Sequence, residues 1–590
     1  MNTDLDSVPQ NTKQKANDTA AGKRPLSRRT LVGAAVAATA LVGGAAAARA
    51  LGSRASAGKA ASDGSATTTG ELTRAQKKLL AEFKATYDVE SQAKIKSALD
   101  DEYAKAPHGE DNPFAKVDPF GTNTLSCYVR FSTKDDVTLS YTVKAGGSAK
   151  ASEVTGIVDF TRTPKGGDAY ATEHEFLVFG LIPGCKNDVR LTLTGKDGAV
   201  RTVRLSSCAN ALKGTEKAQL TVSSGSSKTE LADGLYAILG NDSSQLDFMY
   251  LYDNDGYIRG EIPLIGYRSH RLLFDGAGVY FSVSTTKIAQ VNALGQVTRV
   301  FNTGDFELHH DYVFDGAGDL LVLASDKGSE TDLDVDRASA KTTETRKSVE
   351  DKVIKIDTKT GEASLVVDLG DMFPDLKAQA KIASDGDLDW IHINTIQWLG
   401  NDTILLSSRE TSTVIKLRDI YGTPTVDWLM GDPAFWKGSG FEDKLLTKQG
   451  AFDSNAGQHS VTYLPFEGSN ADGYRILMFD NNYGSAESYP KFDWSQLGAH
   501  VVTDYGSGTY SLTRLFTVDE DKRTYAVEEQ FKVPFSAYVS SAQQVGSAGN
   551  VLVDSGQAKT FTEYDRYGRA VRTFKMPAEK YIYRVYKYDI

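Results

Sequence analysis

From about residue 230 onward, short apolar runs alternate with polar, Gly-containing turns, and the runs have the length of strands. The run "HRLLFDGAGVYFSVSTTKIAQVNALGQVTRVF" shows the pattern: apolar stretches, each ended by a Gly, Asp, Asn or Thr turn. Comparable units open at "LYAILG", "HRLLFDG", "HHDYVFDG", "INTIQWLG", "HSVTYLPF" and "SAQQVGSA". Each unit holds about four short strands, the content of one propeller blade. Six units predict an all-β, six-bladed β-propeller over 226–590. The final "YIYRVYKY" is expected to close the ring by adding an outer strand to the first blade, because closure removes an exposed edge. The third unit is interrupted by a polar, charge-mixed stretch at 326–351, which reads as a solvated loop or as a lid over one end.

The N-terminal part follows other patterns. Leu72, Leu79, Phe83 and Tyr87 share one face at helical spacing and predict a helical segment within 71–120. Over 121–225 the stretches "CYVRFSTKDDVTLSYTV", "EHEFLVFGL" and "NDVRLTLTGKDGAVRTVRL" predict a small β-sandwich, with Gly195-Lys196-Asp197-Gly198 as a hairpin turn. Residues 51–70 are Ser-, Gly-, Ala- and Thr-rich and read as a flexible linker. Before them, Arg28 and Arg29 precede an apolar run of about 18 residues that ends at Ala48-Arg49-Ala50. This layout over 1–50 is that of a twin-arginine-like signal peptide, which engages the twin-arginine export machinery. Cleavage would leave Leu51 first; retention would leave a membrane anchor. Both place the body outside the cytoplasm: periplasmic, secreted, or attached to the outer face of the cytoplasmic membrane.

Charge and cysteine content narrow the function classes. The formal net charge is -11, which argues against a nucleic-acid partner, since duplex binding rests on basic contacts to phosphate. A small anionic substrate needs only a local positive site. The three cysteines, Cys127, Cys185 and Cys208, lack zinc-ligand spacing and carry no predicted catalytic role; one disulfide with one thiol over, or three thiols, are both compatible. No glycine-rich phosphate loop and no metal motif is present, so no cofactor and no metal are expected.

Histidine is scarce, with eight in 590 residues, yet His270, His309, His310, His392 and His459 stand near the starts of strand-like stretches in successive units. Corresponding positions of propeller blades converge on the central channel, so these units can assemble one imidazole cluster, able to act as nucleophile, acid–base pair or ligand set. Arg409 in "LLSSRETS" offers a planar fork for an oxyanion or a salt bridge at a strand end. Asn394 shares a strand face with His392 and can donate to an oxyanion or orient the ring beside it.

An ordered set of segments then resembles the bacterial arylsulfotransferase family: "HHD" at 309–311, "DWIHINTI" at 389–396, "LLSSRETSTVIKL" at 405–417, "WLMG" at 428–431, "GQHS" at 457–460 and "LMFDNN" at 477–482. The resemblance implies a nucleotide-independent enzyme that moves sulfate from an aryl sulfate donor to a phenolic acceptor, built as a β-sandwich and a six-bladed propeller and forming a homodimer. It implies that His459 is the covalent nucleophile, in a ping-pong scheme through a sulfohistidine, surrounded by His310, His392, Asn394 and Arg409. His309 is the alternative to His310 within its motif. The enterobacterial members carry a disulfide near the active site; no Cys follows Cys208 here, so that feature is absent. An arylsulfatase-type hydrolase, a noncatalytic ligand-binding propeller and a metal-dependent propeller enzyme are the competing readings.

Overall fold

The computed structural model describes residues 72–145, 158–240, 246–328, 330–337, 340–382, 387–466, 473–504 and 506–590. The signal and linker predicted over 1–70 lie outside the described residues. The predicted helical segment is two helices, α1 (Arg74–Thr86) and α2 (Val89–Tyr103). Thr73 starts α1 with a capping box: its hydroxyl accepts from the Gln76 N–H at 3.2 Å while the Gln76 side chain accepts from the Thr73 N–H at 2.9 Å. Asp88 caps α2 and thereby splits the run. Phe83 and Tyr87 are buried, and the Tyr87 hydroxyl donates to the Pro263 carbonyl at 2.6 Å, which ties the helices to the strands that follow.

A six-stranded antiparallel sheet comes next: β1 (Phe114–Val117), β2 (Ser126–Ala145), β3 (Phe160–Arg162), β4 (Ala171–Phe179), β5 (Lys186–Gly195) and β6 (Val200–Cys208). The long β2 serves two half-sheets. Ser126–Ser132 pairs with β4, and Val137–Ala145 pairs with β5. The turn at 195–198 joins β5 to β6 as predicted, with Gly198 at φ +81°. The buried face of this sheet (Val129, Phe131, Leu139, Tyr141, Leu191) shares one apolar core with Leu235, Met249 and Leu552 from later strands, so it is not a separately cored module.

Six further sheets succeed one another along the chain, antiparallel except where Thr447–Lys448 pairs parallel with Thr524–Val533 in the fifth. Each of the second, fourth, fifth and sixth contains four consecutive strands, for example Ile393–Gly400, Thr403–Ser408, Thr413–Arg418 and Thr425–Met430 in the fourth, and the third contains four with a hairpin inserted after its second. The first strands of the third to sixth sheets, Phe306–Phe314, Ile393–Gly400, His459–Pro465 and Ser541–Val545, touch one another in that order, and the last of them touches the C-terminal strand Val585–Tyr588. The chain ends exchange strands. Val585–Tyr588 pairs with Leu235–Ile238 in the first sheet, and Thr221–Ser224 pairs with Ala570–Lys575 in the sixth. The C-terminal strand was expected at the outer edge of the first sheet; it lies at the edge that meets the first strand of the sixth, because the apolar Val585 and Tyr586 bury there.

The interruption predicted at 326–351 contains a two-stranded hairpin, Glu330–Arg337 with Ala340–Lys347. Its base is tied to the segment ahead of His392: the Leu388 N–H donates to the Lys347 carbonyl and the Val349 N–H to the Leu388 carbonyl, both at 2.9 Å.

The C-terminal strand is anchored by a buried ion pair. Lys587 is 1% exposed at its side chain, and its ammonium donates to Glu563 at 2.9 Å, Tyr236 at 3.0 Å and Asn254 at 2.7 Å. Breaking one partner of such a pair leaves an uncompensated buried charge. Lys587→Met is expected to lower the urea midpoint by the equivalent of about 3–5 kcal/mol. Adding Glu563→Gln should recover most of that loss. Wild-type stability in Lys587→Met would show that this pair does not anchor the strand.

Candidate functional site

The predicted histidines sit at the starts of the strands that touch. His310 lies in Phe306–Phe314, His392 immediately precedes Ile393–Gly400, and His459 opens His459–Pro465. Each of these strands breaks register at that point: between Leu308 and Tyr312, between Ile393 and Thr395, and between His459 and Thr462. His310 (φ +57°), His392 (φ +49°) and Ser460 (φ +55°) occupy the left-handed region there. Such a residue costs about 1–3 kcal/mol unless its surroundings hold it, and these irregularities re-aim side chains out of the strand alternation.

His459 is fully buried, and its tautomer follows from its neighbours. Asn481 donates through Nδ2 to the carbonyls of Ser536 (2.8 Å) and Val539 (3.2 Å), which orients its Oδ1 toward His459 Nδ1 at 2.7 Å. The Gly457 carbonyl is 3.0 Å from the same nitrogen. Two oxygen acceptors place the proton on Nδ1 and leave the lone pair on Nε2. Gly457 is at φ +63°, and a Cβ there would meet the Tyr483 carbonyl oxygen at 2.7 Å, so the turn before His459 requires glycine.

Asn394 is fully buried and donates to the Gln458 carbonyl at 2.8 Å. Its amide therefore joins His392's strand to the residue preceding His459. His392 Nδ1 bonds Asp389, and Arg409 reaches the same carboxylate at 3.4 Å while holding Glu410 at 2.8 Å. The Arg409 N–H also donates to the His392 carbonyl at 3.0 Å. Burial alone would raise the Asp389 carboxyl. The charges of His392, Arg409 and His310, together with the His392 hydrogen bond, outweigh it and hold the group far below the usual carboxylate range.

His310 and His392 face each other with ring centroids 4.7 Å apart. His309 lies behind His310: the two Nδ1 atoms are 3.0 Å apart, and His309 Nε2 is 3.2 Å from Asp351. The structure thus separates the two histidines of the motif, His310 toward His392 and His309 toward Asp351.

Several residues at this centre had no assigned role in the sequence reading. Arg584, fully buried, donates to the carbonyls of His310 at 2.9 Å and Asn394 at 2.5 Å. It immediately precedes the C-terminal strand, the same position that His392 holds before its own strand, but the expected outer placement of "YIYRVYKY" hid it. Arg268 stacks its guanidinium 3.8 Å from the Tyr583 ring, and that ring meets His270 edge-on at 5.5 Å. Asp389 was legible three residues before His392, and Asn481 stood in the quoted "LMFDNN". Among the described residues, no group of three or more His, Cys, Asp or Glu is arranged to hold a metal ion.

A family model described as Arylsulfotransferase (ASST) matches residues 221–584, and one described as Arylsulfotransferase Ig-like domain matches 114–207. No curated protein matches the chain. Three solved structures resemble it weakly. A nidogen/laminin complex shares 9% identity over 60% of this chain and 97% of that one (TM-score 0.31). The WD40 domain of Neurospora crassa Pan2 shares 12% over 63% and 85% (TM-score 0.28). A functionally unknown protein from Desulfotomaculum acetoxidans shares 11% over 60% and 99% (TM-score 0.32). At these TM-scores the likenesses carry no argument.

His270 supplies a test of the electrostatics. Burial, then the charges of Arg268, His310 and Arg584, hold its imidazole well below the ordinary value. Below about pH 6.5 the unfolded chain takes up a proton at this residue that the folded chain refuses, so stability falls as pH drops. The slope from this one group is about 1.4 kcal/mol per pH unit. His270→Gln is expected to remove one proton's worth of that slope in urea midpoints taken between about pH 7 and pH 5. Parallel slopes in variant and wild type would show that His270 is not kept neutral.

Proposed function

This chain belongs to the arylsulfotransferase family and is a transferase, and on that premise we propose that it moves a sulfuryl group from an aryl sulfate to a phenol by a ping-pong route in which His459 is the covalent carrier. The observation that carries this reading is the oriented His459: two oxygen acceptors hold the ring proton on Nδ1, which makes Nε2 the basic, nucleophilic nitrogen of the imidazole. In the first half-reaction Nε2 attacks sulfur, the S–O bond to the aryl group breaks, and the phenolate leaves with a proton. In the second, a new phenol gives up its proton and takes the sulfuryl group. His310 and His392, 4.7 Å apart by ring centroids, are the groups placed to move those protons. Arg409 braces His392 through Asp389 and the His392 carbonyl, and Asn394 braces the turn into His459 through the Gln458 carbonyl. Preorganised donors of this kind stabilise the charge that develops on the transferring group.

The same reading extends to architecture and place. Six successive sheets, serial contact among the first strands of the third to sixth and the exchange of strands between chain ends support a six-bladed propeller with the site at its axis. The paired arginines Arg28 and Arg29 ahead of the apolar run support export before function.

Brief exposure to an aryl sulfate without acceptor, followed by quenching and peptide mass spectrometry, is expected to show a gain of about 80 Da on the His459 peptide together with a burst of phenol. His459→Ala should abolish both. An adduct mapped repeatedly to His310 or His392 would overturn the assignment. Arg409→Ala is expected to lower kcat about 10²–10³-fold. Arg409→Lys should restore activity only in part, because a point charge does not reproduce a planar fork. Near-normal turnover in both variants would place Arg409 outside the reaction centre.

A further inference from the structure

We propose that His309 and Asp351 form a proton reservoir behind His310, giving up a proton as the first phenolate departs and recovering it from the phenol that enters second. The inference rests on the ping-pong reading above and adds two residues to it. A ping-pong transfer leaves the enzyme one proton short between half-reactions, since the first phenol takes a proton away and the second returns one. At a buried centre the deficit must sit on protein groups.

Three groups stand in a line. His310 Nδ1 is 3.0 Å from His309 Nδ1, and His309 Nε2 is 3.2 Å from Asp351 Oδ1, within transfer distance but not aligned as a hydrogen bond. The side chains of His309 and Asp351 are 10% and 2% exposed, so the line runs through the interior. The Nδ1–Nδ1 contact admits one proton at a time, so a proton shift at His310 forces the complementary shift at His309. Asp351 is also well placed to hold the proton: burial first, then the nearby charge of Asp389, push its carboxyl well above the usual range. Glu350 adds to that push, although it is partnered by Lys377 at 2.7 Å, while His392 opposes it. His310 faces His392 as well as His309, and the Arg584 guanidinium holds its carbonyl. The cations Arg268 and Arg584 also act on this cluster through His270, whose imidazole they and its burial keep neutral.

The step balances. At rest Asp351 is protonated, His309 carries its proton on Nδ1 and His310 on Nε2. As His459 Nε2 bonds to sulfur and the S–O bond breaks, the electron pair leaves on the phenolate oxygen, which takes the His310 Nε2 proton. His310 Nδ1 takes the proton of His309 Nδ1, and His309 Nε2 takes that of Asp351, which becomes a carboxylate. The second phenol reverses every transfer. His309 and Asp351 act through His310 and are positioning residues rather than groups that touch substrate.

The dependence on leaving group tests this. Phenyl sulfate releases a basic phenolate that needs the proton; 4-nitrophenyl sulfate releases one that does not. In Asp351→Asn, and independently in His309→Gln, the pre-steady-state burst with phenyl sulfate is expected to slow about 100-fold, while that with 4-nitrophenyl sulfate stays within about threefold. The retained 4-nitrophenyl burst doubles as the control for folding. Equal losses with both donors would reduce His309 and Asp351 to structural support, and no loss with either would remove them from the proton path; each result overturns the reservoir. Absence of any sulfated wild-type enzyme would instead overturn the ping-pong reading itself.

Discussion

The centre depends on one buried cation. Arg584 has no exposed side-chain surface and is the only group seen to bond the backbone carbonyls of both His310 and Asn394 among the described residues. A buried guanidinium is costly unless its donors are satisfied and its charge is met. Here the two carbonyls take N–H groups of its terminal nitrogens, Nε has no hydrogen-bond partner among the described residues, and Asp311, 3.7 Å away, meets its charge. Asp311 is held from its other side by a two-pronged contact with Arg271 at 2.9 Å. Arg584 immediately precedes the C-terminal strand, which pairs with Leu235–Ile238 near the start of the β-rich region. The sites on the third and fourth sheets are therefore completed only when the two ends of that region meet.

The same contacts explain why the strained backbone persists. His310 and His392 are non-glycine residues in the left-handed region, and each sits at a break in strand register. Left alone, both would relax into ordinary strand geometry and turn their rings away. Arg584 holds the His310 carbonyl, Arg409's N–H holds that of His392, and Asp389 holds the His392 ring. The strain is local, and it is offset by bonds that come from other sheets or from the next turn of the chain.

Two neighbouring carboxyls show how environment divides labour. Both Asp351 and Asp389 are buried, which by itself favours the protonated form of each. Asp389 bonds His392 and meets Arg409, so it stays ionised and fixes the ring's orientation. Asp351 feels Asp389's negative charge in addition to its own burial and is driven the other way. A pair of like groups pushed apart in this manner is suited to distinct tasks in proton transfer.

Much of this was legible in the chain because it depends on local pattern. Short apolar runs ended by Gly and Asp turns marked the successive four-stranded units, since a strand buried on both faces reads as a short continuous apolar run. The helical face of Leu79, Phe83 and Tyr87, the 195–198 hairpin and the rare histidines at strand starts were visible for the same reason, as was the Gly457-Gln458-His459 turn. What no local pattern could decide was partnership. Whether His309 or His310 faces His392 depends on a one-residue register break, and a shift of one residue reverses every side chain of a strand. The edge on which Val585–Tyr588 pairs, and with it the position of Arg584, depends on contacts more than 300 residues apart in the chain. Spacing along a sequence carries no trace of such closure, so the contacts of Arg584 with His310 and Asn394, and of Asp351 with His309, arise only in the folded chain.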